Sequence, residues 1–382
     1  MWVDQWPLSK EKIDAAQQLV QEQLELGHIE QSNSPWNLPI FVIKKKSGKW
    51  RLLQDLQKVN ETMEVMGALQ HGLPSPMAIP RDAHIIILDL KDCFYTIPLA
   101  PQDCPQFAFS VPSVNFSQPM RRYHWKVLPQ GMANSPTLCQ KFVAAALQET
   151  QAKYSDAYIL HYMDDILLAH IDKNYLLAVY AFMEPALKAV GLIISKEKVQ
   201  TFPTYSYLGF RLERETFGVQ PIALRRDNLK TLNDFQKFLG DINWIRPYLH
   251  LATYELKPLF DILKGDKNPT SPHSLTEAGE RALQKVETAL SQQHSSYCDY
   301  ERPWGLYILA SEHSPIGVLF QDNPLRWIYL SVSPLWVLSP YHVLVAKIIV
   351  KGRQKSVTYL GRDPHFICIP FSTEQQLWLS IF

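Results

Sequence analysis

The segment that says most about the fold reads Tyr158-Ile159-Leu160-His161-Tyr162-Met163-Asp164-Asp165-Ile166-Leu167-Leu168. Apolar residues flank an Asp-Asp pair, a pattern that predicts a strand, a tight turn and a second strand over 157–169. Two adjacent ionised carboxylates within apolar flanks repel each other and lose hydration, which is costly unless a cation neutralises them. Most Asp-Asp pairs are solvated turn residues, so this pair alone does not establish a metal site.

A second acidic strand precedes this hairpin. The apolar run Ile85-Ile86-Ile87-Leu88 predicts a buried strand over 84–90 that ends on Asp89, and Asp92 follows three residues later. Carboxylate oxygens are the ligands that suit Mg²⁺ or Mn²⁺. Three carboxylates from two neighbouring strands can hold two metal ions, the arrangement that activates an attacking hydroxyl and stabilises a leaving pyrophosphate.

A basic hairpin is predicted over 39–53, with its turn at Ser47-Gly48. The run 44–58 contains six basic residues and one acid. Such a run is usually a solvated hairpin, but it also suits a phosphate clamp, in which lysines act as point charges and Arg51 as a bidentate fork. Trp50 among the basic residues slightly favours nucleotide or nucleic acid.

The remaining pattern alternates helices with short strands. Ser9 is expected to cap a first helix, and Ser135 to cap another that has Pro136 at its first position. After about Pro303 the chain is expected to be rich in strands. Helices are predicted over 7–27, 135–150, 174–190, 221–263 and 275–291, and hairpins over 204–220 and 305–321.

Composition excludes several classes of protein. The 382 residues carry a formal net charge of +1, so any affinity for nucleic acid must come from local patches. Five cysteines without a Cys-x-x-Cys pair argue against a zinc site or a disulfide framework and fit a reducing compartment. We see no signal peptide, and the apolar stretch 329–350 is interrupted by proline and charge, which makes it a poor membrane span.

Several motifs, taken together, resemble those of retroviral reverse transcriptases, and most nearly those of betaretroviruses and their endogenous class II (K-type) relatives. The likeness spans nearly the whole chain and weakens after about Tyr297. A Tyr-Met-Asp-Asp motif that follows an Asp-bearing strand, with Leu-Pro-Gln-Gly between them, is highly specific. The motifs are Trp6-Pro7-Leu8, Leu26-Gly27-His28-Ile29-Glu30, Ser34-Pro35-Trp36-Asn37, Lys46-Ser47-Gly48-Lys49-Trp50-Arg51, Leu88-Asp89-Leu90-Lys91-Asp92-Cys93-Phe94, Leu128-Pro129-Gln130-Gly131-Met132, Tyr162-Met163-Asp164-Asp165, Tyr207-Leu208-Gly209 and Leu239-Gly240-Asp241-Ile242-Asn243-Trp244-Ile245-Arg246.

The resemblance implies an α/β (α+β) fold of the right-hand polymerase type. Fingers and palm would occupy 1–220, with a reverse transcriptase core over about 24–212. A thumb over 221–295 and an RNase H-like connection domain over 296–382 would follow. The implied function is that of an RNA-directed DNA polymerase, a nucleotidyltransferase that extends a primer 3′-hydroxyl with dNTPs on an RNA or DNA template.

By the same resemblance, Asp89, Asp164 and Asp165 are the catalytic residues and hold two Mg²⁺ ions, for which Mn²⁺ can substitute. Asp165 would be bound to metal least directly. Phe94 would lie under the incoming sugar and exclude a 2′-hydroxyl, the group that distinguishes rNTPs from dNTPs. As an isolated residue, Phe94 could equally be part of the core.

The resemblance also assigns the rest of a nucleotide pocket. Backbone amides around Asp92 and Cys93 would contact the triphosphate, although Cys93 and Cys104 also suit buried small hydrophobes. Met163 would touch the primer end, and His161 would be a strand residue beside the site rather than a metal ligand. Arg51 and Lys45 would bind the β- and γ-phosphates, with Lys46 as an alternative to Lys45. Gln130 would line the nucleotide pocket, although it could instead be a turn residue. Lys198 would lie near the site.

Primer and template contacts are implied for two regions. Tyr162 and the hairpin Tyr207-Leu208-Gly209 would grip the primer terminus. The helix that carries Gln236, Gly240 and Trp244 would follow the minor groove, with Gly240 allowing close approach. Leu208 and Trp244 could also simply be core residues. The implied partners are an RNA template, a DNA primer, their RNA–DNA hybrid and dNTPs, without a membrane.

Retroviral enzymes of this kind normally continue into an RNase H domain with four carboxylates. Few acids follow Pro303, and the predicted strand Leu306–Ala310 carries no Asp. We therefore expect a connection domain and no RNase H domain. The acids present there are Glu312, Asp322, Asp363 and Glu374.

Three functions compete at this point. The first is an active reverse transcriptase, located inside the cell or in the virion core, as a homodimer or as a heterodimer with a longer Pol chain. The second is a catalytically silent nucleic-acid-binding or structural subunit, or a domesticated retroviral remnant, which the missing RNase H would favour. The third is an RNA-dependent RNA polymerase, which shares the palm carboxylates but is opposed by Phe94.

Overall fold

The structure is a computed structural model that describes residues 1–45, 48–70, 72–220, 229–292, 295–311, 314–330 and 339–375. The chain divides into two compact units. The first comprises Met1–Leu73, Leu88–Leu168 and Leu177–Val199. The second comprises Pro74–Ile87, Ala169–Leu176 and Gln200–Phe382.

The described residues form both helices and strands. In chain order they are α1 (Lys10–Glu25), β1 (Ile29–Gln31), β2 (Ile40–Lys44), β3 (Trp50–Gln54), α2 (Gln57–Thr62), β4 (His84–Lys91), α3 (Cys93–Thr96), β5 (Ala108–Val111), β6 (Arg121–Trp125), α4 (Ser135–Lys153), β7 (Tyr158–Tyr162), β8 (Asp165–His170), α5 (Lys173–Ala189), β9 (Ile193–Ile194), β10 (Tyr205–Tyr207), β11 (Phe210–Leu212), β12 (Thr216–Val219), α6 (Leu232–Ile245), α7 (Thr253–Asp261), α8 (Glu277–Gln292), β13 (Ser295–Ser296), β14 (Gly305–Leu309), β15 (Ile316–Phe320), β16 (Pro324–Ile328), α9 (Tyr341–Leu360) and β17 (Phe366–Cys368).

A four-stranded sheet in the order β7-β8-β4-β9 carries the acidic residues. Its inner strands are continuous apolar runs because both faces are covered: Leu88 of β4 and Ile166 and Leu167 of β8 are completely buried. β4 pairs antiparallel with β9, with Leu90 opposite Ile194. The structure therefore confirms the predicted hairpin over 157–169 and the predicted strand over 84–90.

Two smaller sheets and a helix complete the N-terminal part of the first unit. The sheets have the orders β1-β6-β5 and β2-β3, and the second of them is the predicted basic hairpin. Helix α1 begins after Ser9, as predicted, although the Ser9 side chain makes no capping hydrogen bond. Gly27 ends that region with φ of +73°, a conformation that favours glycine.

The predicted cap of helix α4 is wrong by one residue. The N-cap is Asn134, whereas Ser135 is the first helical residue and Pro136 follows it within the first turn. The hydroxyl of Ser135 is directed elsewhere, since it donates a hydrogen bond to the carbonyl of Pro129 at 2.9 Å. Pro136 can occupy either of the first positions because their amides have no partner inside the helix.

The second unit contains a sheet in the order β10-β11-β12-β13 and the helices α6 to α8. The turn between β10 and β11 has positive φ at both central residues, +47° at Leu208 and +82° at Gly209, the pattern of a type I′ hairpin. The helix predicted over 221–263 is instead two helices, α6 and α7, and residues 221–228 lie outside the described residues. The helices α6 to α8 enclose an apolar core. Its buried residues include Phe235, Leu239, Ile242, Leu256, Leu283 and Val286.

The C-terminal part of the second unit is a sheet in the order β16-β15-β14-β17, against which helix α9 packs. The hairpin β14–β15 is confirmed, but the expectation of a strand-rich end missed α9. Gly352 allows this helix to approach the sheet, because a Cβ there would lie 2.5 Å from Cδ2 of Leu306. In the part of the chain that is described, no helix combines the length and apolarity needed to cross a bilayer.

Candidate active site

The Asp-Asp pair lies at the turn of the β7–β8 hairpin. Met163 and Asp164 are the two residues between the strands, and Asp165 opens β8. Met163 has φ of +55°, a conformation that favours glycine. Because the residues after Asp165 are fully buried, the hairpin fixes where both carboxylates emerge.

Asp89 reaches the same place from the neighbouring strand β4. The backbone amide of Leu90 donates a hydrogen bond to the carbonyl of Asp164 at 2.8 Å, which joins the strand to the turn. Burial raises the pKa of Asp164, and the charge of Asp89 acts in the same direction. Burial, then Asp164 and then Asp89 raise the pKa of Asp165 to about 6. The three predicted carboxylates are therefore close enough to repel one another.

Lys198 is the cation of this cluster. Its Nζ lies 2.7 Å from Oδ1 of Asp89, and this hydrogen bond raises the pKa of the lysine. The amide of Ser195 donates to the carbonyl of Asp89 at 2.8 Å, which holds the segment leading to Lys198 against β4. One ammonium beside three carboxylates leaves a net negative charge.

Within the residues that the structure describes, no three His, Cys, Asp or Glu side chains are already arranged as a metal site. The donor chemistry nevertheless fits hard divalent cations. The carboxylates of Asp164 and Asp165 are half-buried and repel each other and Asp89, which is the condition that a bound cation relieves.

The segment after β4 makes a tight corner. Asp92 has φ of +50° and precedes the short helix α3, which begins with Cys93 and half-buried Phe94. Sγ of Cys93 lies 3.0 Å from Sγ of Cys139 on α4, and both thiols are buried. This hydrogen bond and burial raise the pKa of the Cys93 thiol. Cys93 therefore packs as a small buried residue, and so does Cys104, which is 6% exposed.

The basic hairpin and the Leu-Pro-Gln-Gly motif meet in the first unit. Nε of exposed Arg51 donates to Oε1 of Gln130 at 2.9 Å, and its Nη2 contacts the same oxygen. Gln130 is half-buried. The exposed residue Lys45 closes the hairpin turn through its amide, which donates to the carbonyl of Lys49 at 2.8 Å. Lys46 lies outside the described residues.

Sequence reasoning missed two glutamines behind the Asp-Asp turn. Oε1 of Gln140, on α4, accepts a hydrogen bond from the amide of Met163 at 2.6 Å. Gln70 contacts both Gln140 and the carbonyl of His161. Half-buried Tyr162 lies between His161 and Met163 in the sequence, so both backbone neighbours of this residue are held. For Gln140 the available signal was a polar residue among the buried positions of α4, which does not by itself identify a partner.

Burial lowers the pKa of His161, which agrees with a strand residue that remains neutral. Its ring is half-buried on strand β7, beside the acidic turn. No group of ligands forms around it among the described residues.

The predicted primer-binding residues lie in the second unit, apart from Tyr162. A Cβ on Gly209 would lie 2.8 Å from Cη2 of Trp244, so this glycine lets the turn between β10 and β11 pack on α6. Trp244 also packs on Phe210, with ring centroids 5.4 Å apart. Leu208 is half-buried rather than a core residue. Gln236 and Gly240 are exposed on α6, where an added Cβ at Gly240 would meet no atom within 4 Å.

Comparison with known proteins identifies the family. Residues 43–212 match the profile described as "Reverse transcriptase (RNA-dependent DNA polymerase)", and 219–284 match the "Reverse transcriptase thumb domain". Residues 312–382 match the "ERVK-8-like, RNaseH-like domain". The chain belongs to the betaretrovirus-like reverse transcriptases. It has their mixed α/β fold, with palm and fingers, a thumb and an RNaseH-like domain.

Similar polyproteins occur in several retroviruses. The Gag-Pro-Pol polyprotein of Sheep pulmonary adenomatosis virus is 63% identical over 382 residues, which are 100% of this reverse transcriptase chain and 22% of the polyprotein. That of Mouse mammary tumor virus (strain BR6) is 53% identical over 376 residues, 98% of this chain and 21% of the polyprotein. The Intracisternal A-particle Pol-related polyprotein of Mouse intracisternal a-particle MIA14 is 48% identical over 375 residues, 98% of this chain and 43% of the polyprotein.

These relatives are much longer than the reverse transcriptase region. The chain spans about a fifth of the length of the Gag-Pro-Pol polyproteins that it matches. The RNaseH-like domain over 312–382 agrees with the expected RNase H-like domain after the thumb, and the expectation that an RNase H domain with four carboxylates is absent stays a prediction.

Proposed function

We propose that this chain is an active RNA-directed DNA polymerase that extends a primer 3′-hydroxyl with dNTPs on RNA or DNA templates. The observation that carries the proposal is the cluster of Asp89, Asp164 and Asp165, in which burial, and then repulsion between the carboxylates, raises the pKa of Asp164 and Asp165. Buried clusters of like charge are characteristic of sites that act on charged substrates or metals.

Asp89, Asp164 and Asp165 would hold two Mg²⁺ ions, or Mn²⁺ in their place. The chemistry supplied by two bound ions is activation of the primer hydroxyl and stabilisation of charge on the leaving pyrophosphate. Lys198 holds the carboxylate of Asp89 at 2.7 Å and keeps a positive charge beside the reacting phosphate. The Asp-Asp turn, fixed to Leu90, gives the other two carboxylates a defined position.

Under the same proposal, the residues around the cluster bind the incoming nucleotide. Arg51 and Lys45 bind the β- and γ-phosphates, and the contact between Arg51 and Gln130 supports a shared pocket for these side chains. Phe94 excludes a 2′-hydroxyl. The remaining contacts are the backbone amides of Asp92 and Cys93 and the side chains of Met163 and Lys198.

Template and primer binding is proposed for Tyr162 and for two elements of the second unit. The turn Tyr207-Leu208-Gly209 packs on α6 through Gly209 and Trp244, and Gln236 and Gly240 are exposed on the same helix, which supports a joint role. The proposed regions are fingers and palm over 1–220, thumb over 221–295 and connection domain over 296–382. A homodimer or a heterodimer with a longer Pol chain, inside the cell or in the virion core, is the proposed setting.

Primer extension on an RNA template, with Mg²⁺, with Mn²⁺ and with EDTA, tests this function. We expect metal-dependent cDNA from the native chain and none from Asp164→Asn, while the affinity for the RNA–DNA hybrid stays nearly unchanged. Asp156→Asn is a matched control, because Asp156 is an exposed turn residue before β7. Equal synthesis by Asp164→Asn would refute the assignment of the carboxylates.

The second candidate is a catalytically silent nucleic-acid-binding subunit. Tight binding of the hybrid without any product, in all metal conditions, would support that candidate and refute the polymerase. Product formed with rNTPs as readily as with dNTPs would instead indicate an RNA polymerase.

A further inference from the structure

The turn that carries Asp164 has a backbone conformation that its own residues do not favour. Met163, the first of the two central residues, has φ of +55°. A positive φ at this position is a feature of the type II′ turn, which usually has glycine there, and a side chain in that position is strained. Contacts from outside the hairpin must therefore hold the turn.

Two glutamine side chains, Gln140 buried and Gln70 half-buried, supply these contacts within the first unit. Gln140 is only 7% exposed, and its Oε1 accepts a hydrogen bond from the amide of Met163 at 2.6 Å. Its Nε2 donates to Oε1 of Gln70. Nε2 of Gln70 donates in turn to the carbonyl of His161 at 3.3 Å. The pair thus links helix α4 to the turn and to the end of β7.

We propose that Gln140, braced by Gln70, is a positioning residue that fixes the Asp-Asp turn for binding of divalent cations. The proposal rests on the polymerase function proposed above and adds two residues outside the acidic motifs. The amide of Leu90 holds the carbonyl of Asp164 from the side of β4, at 2.8 Å. Gln140 holds the amide of Met163 from the side of α4, so the turn is fixed from both sides.

Substitution by methionine tests the role, because methionine matches the length of glutamine but cannot hydrogen-bond in its place. Gln140→Met removes the acceptor for Met163, whereas Gln70→Met removes only the brace. Gln148→Met is the matched control, since Gln148 lies on the exposed face of the same helix. Binding of Mn²⁺ to the free protein is measured by electron paramagnetic resonance, together with kcat, KM for dNTP and the melting temperature.

We expect Gln140→Met to weaken Mn²⁺ binding about fivefold or more, the effect of losing one buried hydrogen bond, with a smaller loss in Gln70→Met and none in Gln148→Met. kcat per active molecule should fall in the same order, while KM for dNTP and hybrid affinity stay constant. Met163→Gly in the Gln140→Met background should restore part of the Mn²⁺ affinity, because glycine adopts a positive φ without strain.

A role in packing alone would lower the melting temperature and the active fraction but leave Mn²⁺ affinity per folded molecule unchanged. That result in Gln140→Met and Gln70→Met overturns the positioning role. Native protein that binds Mn²⁺ but extends no primer would count against the proposed function, not against this role. Native protein that fails to bind Mn²⁺ would contradict both.

Discussion

At the scale of single residues, the carboxylates proposed to bind metal also lower the stability of the fold when they are ionised. The pKa of Asp165 is raised from 3.8 to about 6 by burial and by its acidic neighbours. The folded chain therefore binds this proton more tightly than the unfolded chain does. The stability that this residue contributes is present below pH 3.8 and is lost as pH rises through about 6. At neutral pH without a cation, the ionised carboxylate destabilises the fold.

Asp165→Asn should therefore raise the melting temperature of the metal-free protein at neutral pH. The gain should shrink as pH falls through about 6, where the native carboxyl becomes protonated and neutral like the amide. Calorimetric melting curves across this range provide the measurement, with Asp156→Asn as the control. A gain that persists at acid pH would show that the charge of Asp165 is not its cause.

Phe94 permits a prediction about substrate choice. Its ring is half-buried in the short helix after Asp92, so a smaller side chain opens space at this corner. Phe94→Val should increase the ratio of rNTP to dNTP incorporation by about tenfold or more, whereas Phe94→Tyr, which keeps the ring, should not. Single-nucleotide extension with matched dNTP and rNTP measures both ratios. Unchanged discrimination in Phe94→Val would argue against a steric gate.

At the scale of elements, the ends of helices and hairpins show how local sequence fixes structure. Helix α6 begins with a capping box, in which the hydroxyl of Thr231 accepts from the amide of Asp234 and the carboxylate of Asp234 accepts from the amide of Thr231. The hydrogen bonds from Thr231 lower the pKa of Asp234. This cap therefore stabilises the start of the helix that carries the proposed minor-groove contacts.

Thr231→Ala should lower the free energy of unfolding by about 1 kcal/mol, the usual cost of a lost N-cap. Because the pKa of Asp234 is lowered in the folded state, the contribution of this cap is present above the ordinary carboxyl pKa and is lost as pH falls. Urea unfolding at neutral and acid pH measures both effects. Thr288→Ala, at an exposed position within α8, is the control, and an equal loss there would contradict the capping role.

At the scale of the whole molecule, positive and negative charges almost cancel. The formal net charge of +1 gives no long-range attraction for a polyanion. Local groups such as Lys45 and Arg51 must supply it, and both are exposed. Binding that depends on such phosphate contacts releases counterions and therefore weakens with salt.

The affinity for an RNA–DNA hybrid should fall at least tenfold between about 50 and about 200 mM salt, as expected for even a few phosphate contacts. Fluorescence anisotropy with a labelled hybrid gives the slope. A hybrid with an uncharged backbone should bind more weakly and show almost no salt dependence. Equal salt dependence with the uncharged hybrid would exclude phosphate contacts as the cause.

The elements that were predicted correctly from the sequence are those determined by residues that are neighbours in the chain. The β7–β8 hairpin follows from apolar runs around a turn, and helix α1 ends where Gly27 takes a positive φ. Helix α9 was not predicted, because prolines precede it in the sequence and its apolar residues do not follow a clear helical periodicity. Its close approach to the sheet at Gly352 is a contact between residues far apart in sequence.

The sequence by itself determined the family, the acidic motifs and most strands and helices, because motif spacing and apolar periodicity are properties of neighbouring residues. Only the tertiary structure decided how these groups interact. It paired Lys198 with Asp89 and placed Gln140 behind Met163, at separations of 109 and 23 residues. Burial and mutual repulsion, which set the pKa of Asp165, likewise arise only when distant strands pack, since both depend on distance in space.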